Sequence, residues 1–578
     1  METMRVNTPR RRTGNRRLGR LVLLAGIAAV AAGAFIGWQR WFMPNNERVE
    51  PVFNHANPLI HRDIVLDSGA LVDGESIKLP LEAVTELLGS QEPIRYEEET
   101  ESIILTTEDK VVHLRTDGLT ATVNQKPFDL SFAAEKKDGE LYLPLAPLEQ
   151  LFGVQAEHHA DTSIVTIRMP GDSVQRAAAA REEAMIRTEP TIKAPIVASI
   201  MSGEDVRIWG EQANWYRVEG PAGIIGYMAK TDAVLTDIET VPEPSREQPF
   251  IAWKVYGQKI NLTWEAVYSR NPDVTKIGEL PGVNVVSPTW FELQDPSGRI
   301  RSQADTGYVS WAHKNGFQVW ALFSNSFDPD LTTAALSNYE SRLNMIKQLL
   351  TLAQMYKLQG INIDFENVYT KDKDNLVQFV REMTPLLHEQ GLVVSIDVTP
   401  KSSSEMWSAF LDRKALGQTV DYMMVMTYDE HWASSPKSGS VASLPWVERS
   451  VVRILEEDGV PPQKLVLGVP LYTRIWTETK GDDGKVKVTS KAVGMEAVEK
   501  LLKEKKLEPD FHSETGQNYV EYSEEGVLQR IWLEDETSIE ARLQLVKKYD
   551  LAGIATWQRA FHKPSIWDLM DEVLHKRP

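Results

Sequence analysis

The chain contains no cysteine. That excludes disulfide bridges, thiolate nucleophiles and thiolate-held metals, and it suits a bacterial surface protein as well as a cytosolic one. Also missing are any collagen-like, Gln/Asn-rich or other strongly biased run and any HExxH or comparable metal-ligand spacing. Positive charge is outnumbered after the first 20 residues: these carry seven arginines against Glu2, a net of +6, which leaves −25 on the rest of a chain whose formal net charge is −19. So acidic a body repels nucleic acid and anionic wall polymers, so any contact with a cell wall must run through specific sugar or peptide sites. What is present is ample apolar material, 42% of 578 residues, enough for several folded domains.

Compartment is written at the N-terminus. A basic segment, residues 1–20, precedes the uncharged stretch "LVLLAGIAAVAAGAFIGW" from Leu21 to Trp38. As a helix it would rise about 27 Å, close to the hydrocarbon thickness of a bilayer. Trp38, Trp41 and Phe42 suit the membrane interface, and the arginines keep the N-terminus inside, so the reading is a transmembrane anchor over 21–43 with the rest outside the cell. A cleaved signal peptide, followed by secretion, is the competing reading, because "AAGA" could serve a signal peptidase.

Residues 71–105 and 123–167 read as two copies of one α+β unit: a strand running into a Leu-Pro step ("SIKLPLEAVTELLG", "ELYLPLAPLEQLFG"), a helix ending at Gly, then a hairpin closing on "SIILTT" or "SIVTIR". The pattern resembles the domain named after the N-terminus of copper amine oxidases and predicts a stalk over 57–168. His113, His158 and His159 form no convincing copper-ligand set. "SVQRAAAAREEA" (173–184) reads as an Ala-rich helical spacer. Short strands with Gly turns over 185–235 predict a small all-β barrel. There "ANWYRV" and "GIIGYM" resemble bacterial Src-homology-3-type domains, for which wall peptide is a candidate ligand; a plain spacer barrel is the alternative. Residues 236–248 read as a polar linker.

From 249 to 575, apolar runs alternate with helical patterns. Expected strands are 250–256, 283–290, 316–323, 360–366, 392–398, 421–428, 464–472 and 553–557. Eight strands with helices between them predict a C-terminal (β/α)8 TIM barrel, with a small α+β insertion at 473–537. The fold class is therefore multidomain: transmembrane helix, duplicated α+β stalk, small β-barrel and catalytic barrel. In the barrel fold, functional side chains gather at the C-terminal strand ends, where Asp364, Glu366, Asp397, Tyr428, Asp429, Tyr472 and Trp557 fall. In "LQGINIDFENVY" strand alternation puts Ile361, Ile363 and Phe365 on one face and Asn362, Asp364 and Glu366 on the other. Isolated buried acids are costly, so something must offset them.

"GINIDFEN" resembles the D-x-x-D-x-D-x-E signature of glycoside hydrolase family 18, the chitinases and related endo-N-acetylglucosaminidases, and "MTYDEHW", "GVPLYTR" and "GIATWQ" resemble its later strands. The subtype looks like the spore-cortex and wall-lytic glycosylases of Gram-positive bacteria. That resemblance implies cleavage beside N-acetylglucosamine by a substrate-assisted mechanism, in which the sugar's own acetamido oxygen attacks and one protein acid protonates the leaving oxygen. The roles it implies are Glu366 as general acid and then base, Asp364 as its assistant and Tyr428 as the group orienting the acetamido oxygen. Trp557 would form the floor beneath the sugar, and Asn362, Asp429, Tyr472 and Arg474 would make further substrate contacts.

Two positions depart from the signature: Asn362 replaces the middle aspartate and Gln359 stands where the first would be. The terminal Asp-x-Glu pair survives, and Asn362 is expected to hydrogen-bond Asp364. Trp290, Trp320, Trp446 and Trp532 are expected in cores or groove walls rather than as sugar platforms. A buried polar network, or a cation held by Asp364, Glu366 and Asp429, is the bland alternative for the acids. No metal or organic cofactor is expected. The expected partner is peptidoglycan or a chitin-type N-acetylglucosamine polymer, with a non-catalytic sugar-binding protein or a structural surface protein as the rival readings.

Overall fold

The apolar N-terminal run forms a helix, Arg16–Phe42. Its 21 residues from Val22 to Phe42 are long and apolar enough to cross a membrane, and Val22, Leu23, Leu24, Ile27 and Val30 stand exposed. The computed structural model describes residues 16–89, 94–244, 250–252, 258–481 and 485–575. It divides into two units: Met1–Ser90 with Ala134–Pro244, and Gln91–Ala133 with Ser245–Pro578.

In the first unit the internal repeat is visible as geometry. Strands Ser76–Pro80 and Glu140–Pro144 pair antiparallel with Leu143 opposite Leu79, so the two Leu-Pro steps lie side by side. Each proline ends its strand in extended geometry and caps the helix that follows, Leu81–Leu88 or Leu145–Phe152. Proline has no N–H for a strand ladder, and the position before a helix needs none.

The Ala-rich segment is a strand, not a helical spacer. Ser173–Ala179 lies between Asp205–Gln212 and Ala233–Thr240 in a seven-stranded sheet. Helix propensity is a weak prior here, because Ala177 and Ala179 are buried in a core with Ile186, Ile200, Val206 and Met228, where small side chains fit. The same sheet takes residues 236–240 of the expected linker as the end of an edge strand; residues 245–248 of that linker lie outside the described residues.

The second unit contains the parallel barrel: β1 (Ile260–Glu265), β2 (Val285–Pro288), β3 (Gln318–Ser324), β4 (Gly360–Asp364), β5 (Val393–Val398), β6 (Tyr422–Met426), β7 (Leu465–Pro470) and β8 (Gly553–Trp557). Each strand pairs with the next, β8 pairs with β1, and β2 with β3 closes the ring. Even-numbered positions of β1 and β4 face the lumen, where Ile260, Leu262, Trp264, Trp320, Leu322 and Met424 fill the lower part. Odd-numbered positions of β4 join the thicker layer between strands and helices.

The first strand is not the expected 250–256, of which 253–256 lie outside the described residues; it is Ile260–Glu265. Phe250 instead stacks on His388, ring centroids 4.0 Å apart. The more continuously apolar "FIAWKVY" masked "INLTWE", whose Asn261 and Thr263 look like solvent-facing positions yet are fully buried. The insertion is a five-stranded antiparallel sheet with helix Met495–Lys505 and its own small core around Val498, Val520, Ile531 and Leu533.

The same unit includes a five-stranded meander over residues 94–129, the middle of the expected stalk segment. Hairpin 155–168 joins a sheet with Pro58–His61, whereas the matching hairpin of the first repeat, 94–106, belongs to this meander. The meander packs on the barrel's flank. Ile104 and Val111 enter the barrel's outer core, His113 stacks on Tyr339 at 4.0 Å, and buried Arg342 donates to both Glu97 and Glu382 at 2.7 Å.

Candidate active site

Strand alternation sets the site. β4 sends Asn362 and Asp364 into the lumen, and Glu366 follows two residues on, past the strand's end. Phe365 points the opposite way, where it packs on Phe323 and Phe379 with centroids 5.2 and 5.9 Å away. This anchor fixes the direction of Glu366. Its backbone is also held: Asn325, just beyond β3 and fully buried, donates Nδ2 to the Glu366 carbonyl at 2.8 Å and accepts the Glu366 N–H at 3.1 Å.

Asn362 does not bond to Asp364 as expected. Its Oδ1 accepts from Trp264 Nε1 at 2.9 Å and Ser287 Oγ at 3.2 Å, and its Nδ2 donates to Asp397 Oδ1 at 2.9 Å. Two donors on the oxygen orient the amide, so its nitrogen must face β5. Asp364 is left with a buried Oδ1 that has no hydrogen-bond partner.

Three acids thus share the upper lumen, and no lysine or arginine forms an ion pair with them among the described residues. Burial pushes the Asp364 carboxyl up to about 7. Glu366 is held well above the usual carboxylate range by burial first, then by the charges of Asp364 and Asp429. Asp397 is raised by burial and by Asp364, against the hydrogen bond from Asn362. The site therefore stores protons at a pH where ordinary carboxyls have lost them.

Tyr428, just past β6, is raised by burial and then by Asp397, Asp364 and Glu366, which places its phenol in the same field. Trp557 ends β8 half-buried, its ring 6.1 Å from that of Trp264. Asp429, Tyr472 and Arg474 come together as a cluster: the Tyr472 hydroxyl donates to Asp429 Oδ1 at 2.6 Å and Arg474 to the same oxygen at 3.1 Å. Tyr472 and Arg474 are buried, and the Tyr472 ring stands edge-on to that of Tyr428, centroids 6.5 Å apart. Among the described residues no set of three or more His, Asp or Glu side chains converges closely enough to hold a metal ion.

Trp290 and Trp320 are core residues, as the sequence suggested. Sequence reasoning gave no role to Asp397, Asn325, Trp264 or Ser287. Asp397 was visible as a strand-end acid, and Trp264 lay hidden with the misplaced first strand.

The C-terminal region is a closed ring of eight parallel strands with acidic side chains gathered at the end of its fourth. Residues 306–561 match the glycosyl hydrolases family 18. Residues 60–167 match the copper amine oxidase N-terminal domain and 183–232 the bacterial SH3 domain. The uncharacterized glycosylase YvbX of Bacillus subtilis (strain 168) is 27% identical over 297 residues, 49% of this chain and 83% of that protein. The cortical fragment-lytic enzyme of Bacillus anthracis is 29% identical over 254 residues, 43% of this chain and 57% of that protein. Among solved structures, the Bacillus cereus spore cortex-lytic enzyme SleL has the same fold, with a TM-score of 0.50 at 22% identity over 58% of this chain and 77% of that one.

Proposed function

We propose that the barrel hydrolyses β-1,4 bonds beside N-acetylglucosamine in peptidoglycan with retention of configuration. The observation that supports this reading is the place of Glu366, two residues past the inward-facing Asp364 at the end of β4, where burial and the Asp364 charge raise its carboxyl well above the usual carboxylate range. A general acid must hold its proton near neutral pH to protonate a leaving oxygen.

In this reading the substrate's acetamido oxygen attacks the anomeric carbon while the Glu366 proton moves to the departing glycosidic oxygen. The bond between anomeric carbon and that oxygen breaks, leaving a cyclic oxazolinium. Asp364, otherwise unpartnered at Oδ1, accepts the acetamido N–H and offsets the positive charge. Tyr428 orients the acetamido oxygen, and Trp557 lies beneath the sugar ring. Water then adds to the anomeric carbon from the face the leaving group left, giving its proton to the Glu366 carboxylate, while the bond from that carbon to the acetamido oxygen breaks and restores the acetamido group. Asp429, tied to Tyr472 and Arg474, shapes the field at the cleft.

Peptidoglycan is favoured over chitin by three features: the cortex-lytic relatives, the SH3-type domain and the apolar helix at 22–42, which would anchor the chain with its barrel outside. Wall peptide is the corresponding candidate ligand for the SH3-type domain. The test is mass spectrometry of products from purified peptidoglycan and, separately, from N-acetylglucosamine oligomers, each with a Glu366→Gln control. Muropeptides with reducing N-acetylglucosamine ends, absent from the control, are expected. Products from the oligomers alone would make the enzyme chitinase-like, and none from either would make it a sugar-binding protein.

A further inference from the structure

The chain leaves its apolar helix and enters a folded domain with no tether between them. Asn45 donates its N–H to the Ile192 carbonyl at 2.8 Å, Val49 donates to that of Ile196 at 2.9 Å, and Ile196 donates back to Glu47 at 2.8 Å. These bonds lay residues 45–49 parallel to the strand Ile196–Met201, with Arg48 opposite Ile196. That strand is an edge of the seven-stranded sheet, so the segment after the helix covers part of the edge of the SH3-type domain. Side chains lock it there. Arg187, 5% exposed, donates Nη1 to the carbonyls of Asn45 at 2.8 Å and Ala194 at 2.7 Å, and Arg48 reaches Glu183 at 3.0 Å. A buried guanidinium is costly to leave short of acceptors, so the domain holds the segment as firmly as it holds its own turn.

The same docking brings the turn 188–195 against the helix end. The Thr188 N–H closes this turn on the Pro195 carbonyl at 3.0 Å. From its tip, Lys193 Nζ donates to the carbonyls of Gln39, at 3.3 Å, and Met43. Gln39 lies in the last turn of the helix, whose terminal carbonyls have no partner within the helix and attract cations. Ile192, next to that lysine, stands exposed, and so do Trp41, Phe42 and Met43. An apolar tip and a lysine beside a Trp-Phe pair are the side chains that suit the boundary between lipid tails and headgroups.

We propose that the SH3-type domain is seated on the outer face of the membrane, with the turn 188–195 in the lipid headgroup layer and residues 45–49 as the strand that holds it there. The proposal rests on the reading of residues 22–42 as an anchor. Because residues 45–49 run parallel to Ile196–Met201, that strand begins at the helix end and leads away from it. Its far end, the turn at Ser202, is therefore the part of the strand lifted clear of the bilayer.

The absence of cysteine allows a direct test, because a single introduced thiol carries the only label. Ile192→Cys and Ser202→Cys, both at exposed positions, are made in the full chain, labelled with a fluorophore and reconstituted into vesicles of phosphatidylcholine and phosphatidylglycerol that contain nitroxide-headgroup lipid. The label at 192 is expected to lose more than about half its emission to the nitroxide, and the label at 202, about 17 Å farther along the strand, to lose almost none. Equal emission at the two sites, quenched or not, would overturn the proposal. Deuterium exchange of the detergent-solubilised chain reads the strand by itself: the amides of Val49 and Ile196 should exchange slowly, and exchange at Val49 as fast as in an unfolded peptide would overturn it. Flotation of the same vesicles separates the two claims. A chain that floats with an unquenched label at 192 loses the seat and keeps the anchor, whereas a chain that does not float loses both.

Discussion

Asn325 grips the peptide unit of Glu366 with both ends of its amide, Nδ2 on the carbonyl at 2.8 Å and Oδ1 on the N–H at 3.1 Å. The same Nδ2 reaches Thr332 Oγ1 at 2.9 Å, so the amide ties the end of β3 and the helix Pro329–Leu336 to the residue proposed as general acid. The proton donor's position is thus set by its backbone.

Removing the grip has a definite consequence. Asn325→Ala leaves the Glu366 N–H and carbonyl without this partner and opens a small void, which costs about 1–3 kcal/mol of stability. Turnover should fall by more than about tenfold with KM nearly unchanged, because a carboxyl displaced by about 1 Å misses the leaving oxygen. Steady-state kinetics and urea denaturation check both. Unchanged turnover would mean Glu366 is positioned by its side-chain surroundings alone.

The pH dependence follows from Asp364. Its charge raises Glu366, so Asp364→Asn should lower the Glu366 pKa and move the alkaline limb of whatever turnover remains to lower pH. Stability carries the same signature with a worked sign. The folded carboxyl sits at about 7 against an ordinary 3.8, so the folded state binds more protons between those values. Its stabilising contribution is full below the unfolded value and is lost as pH rises through 7. Asp364→Asn should therefore melt higher than wild type at pH 8 and match it near pH 3.5, as differential scanning calorimetry would record. A variant melting lower at pH 8 contradicts the assignment of burial as the cause.

The meander on the barrel's flank makes a third prediction. Arg342 is fully buried between Glu97 and Glu382, and it is raised because these acids outweigh the burial that lowers it. Glu97→Ala leaves the cation with one partner and should cost about 3 kcal/mol of unfolding free energy. His113, in the same interface, is pushed down to about 4 by burial, so acid favours its unfolded form. That contribution is full above the unfolded pKa near 6.5 and is lost as pH falls toward 4, and His113→Gln should flatten the dependence. If neither variant changes the urea midpoint, residues 94–129 do not brace the barrel.

The lumen acids were legible because alternation on one short strand separates "I-I-F" from "N-D-E", and the strand's neighbours then place Tyr428 and Trp557 at the same rim. What escaped depends on pairs between strands. Nothing in "INIDFE" says that Asn362 bonds across to Asp397, since that follows from the β4–β5 register and from Trp264 on a strand nearly a hundred residues earlier. Asn325 gave no signal, because an asparagine after an apolar strand usually means only a turn. The Ala-rich strand failed for the opposite reason: local propensity was clear, and the seven-stranded sheet overrode it.

The measurement closest to the central claim is proton NMR of the anomeric signal during the first minutes of hydrolysis of an N-acetylglucosamine-containing glycan, with Glu366→Gln beside the wild type. The β-anomer should appear first, before mutarotation, with no product from the variant. An α-anomer first, or product from Glu366→Gln at near wild-type rate, would contradict it.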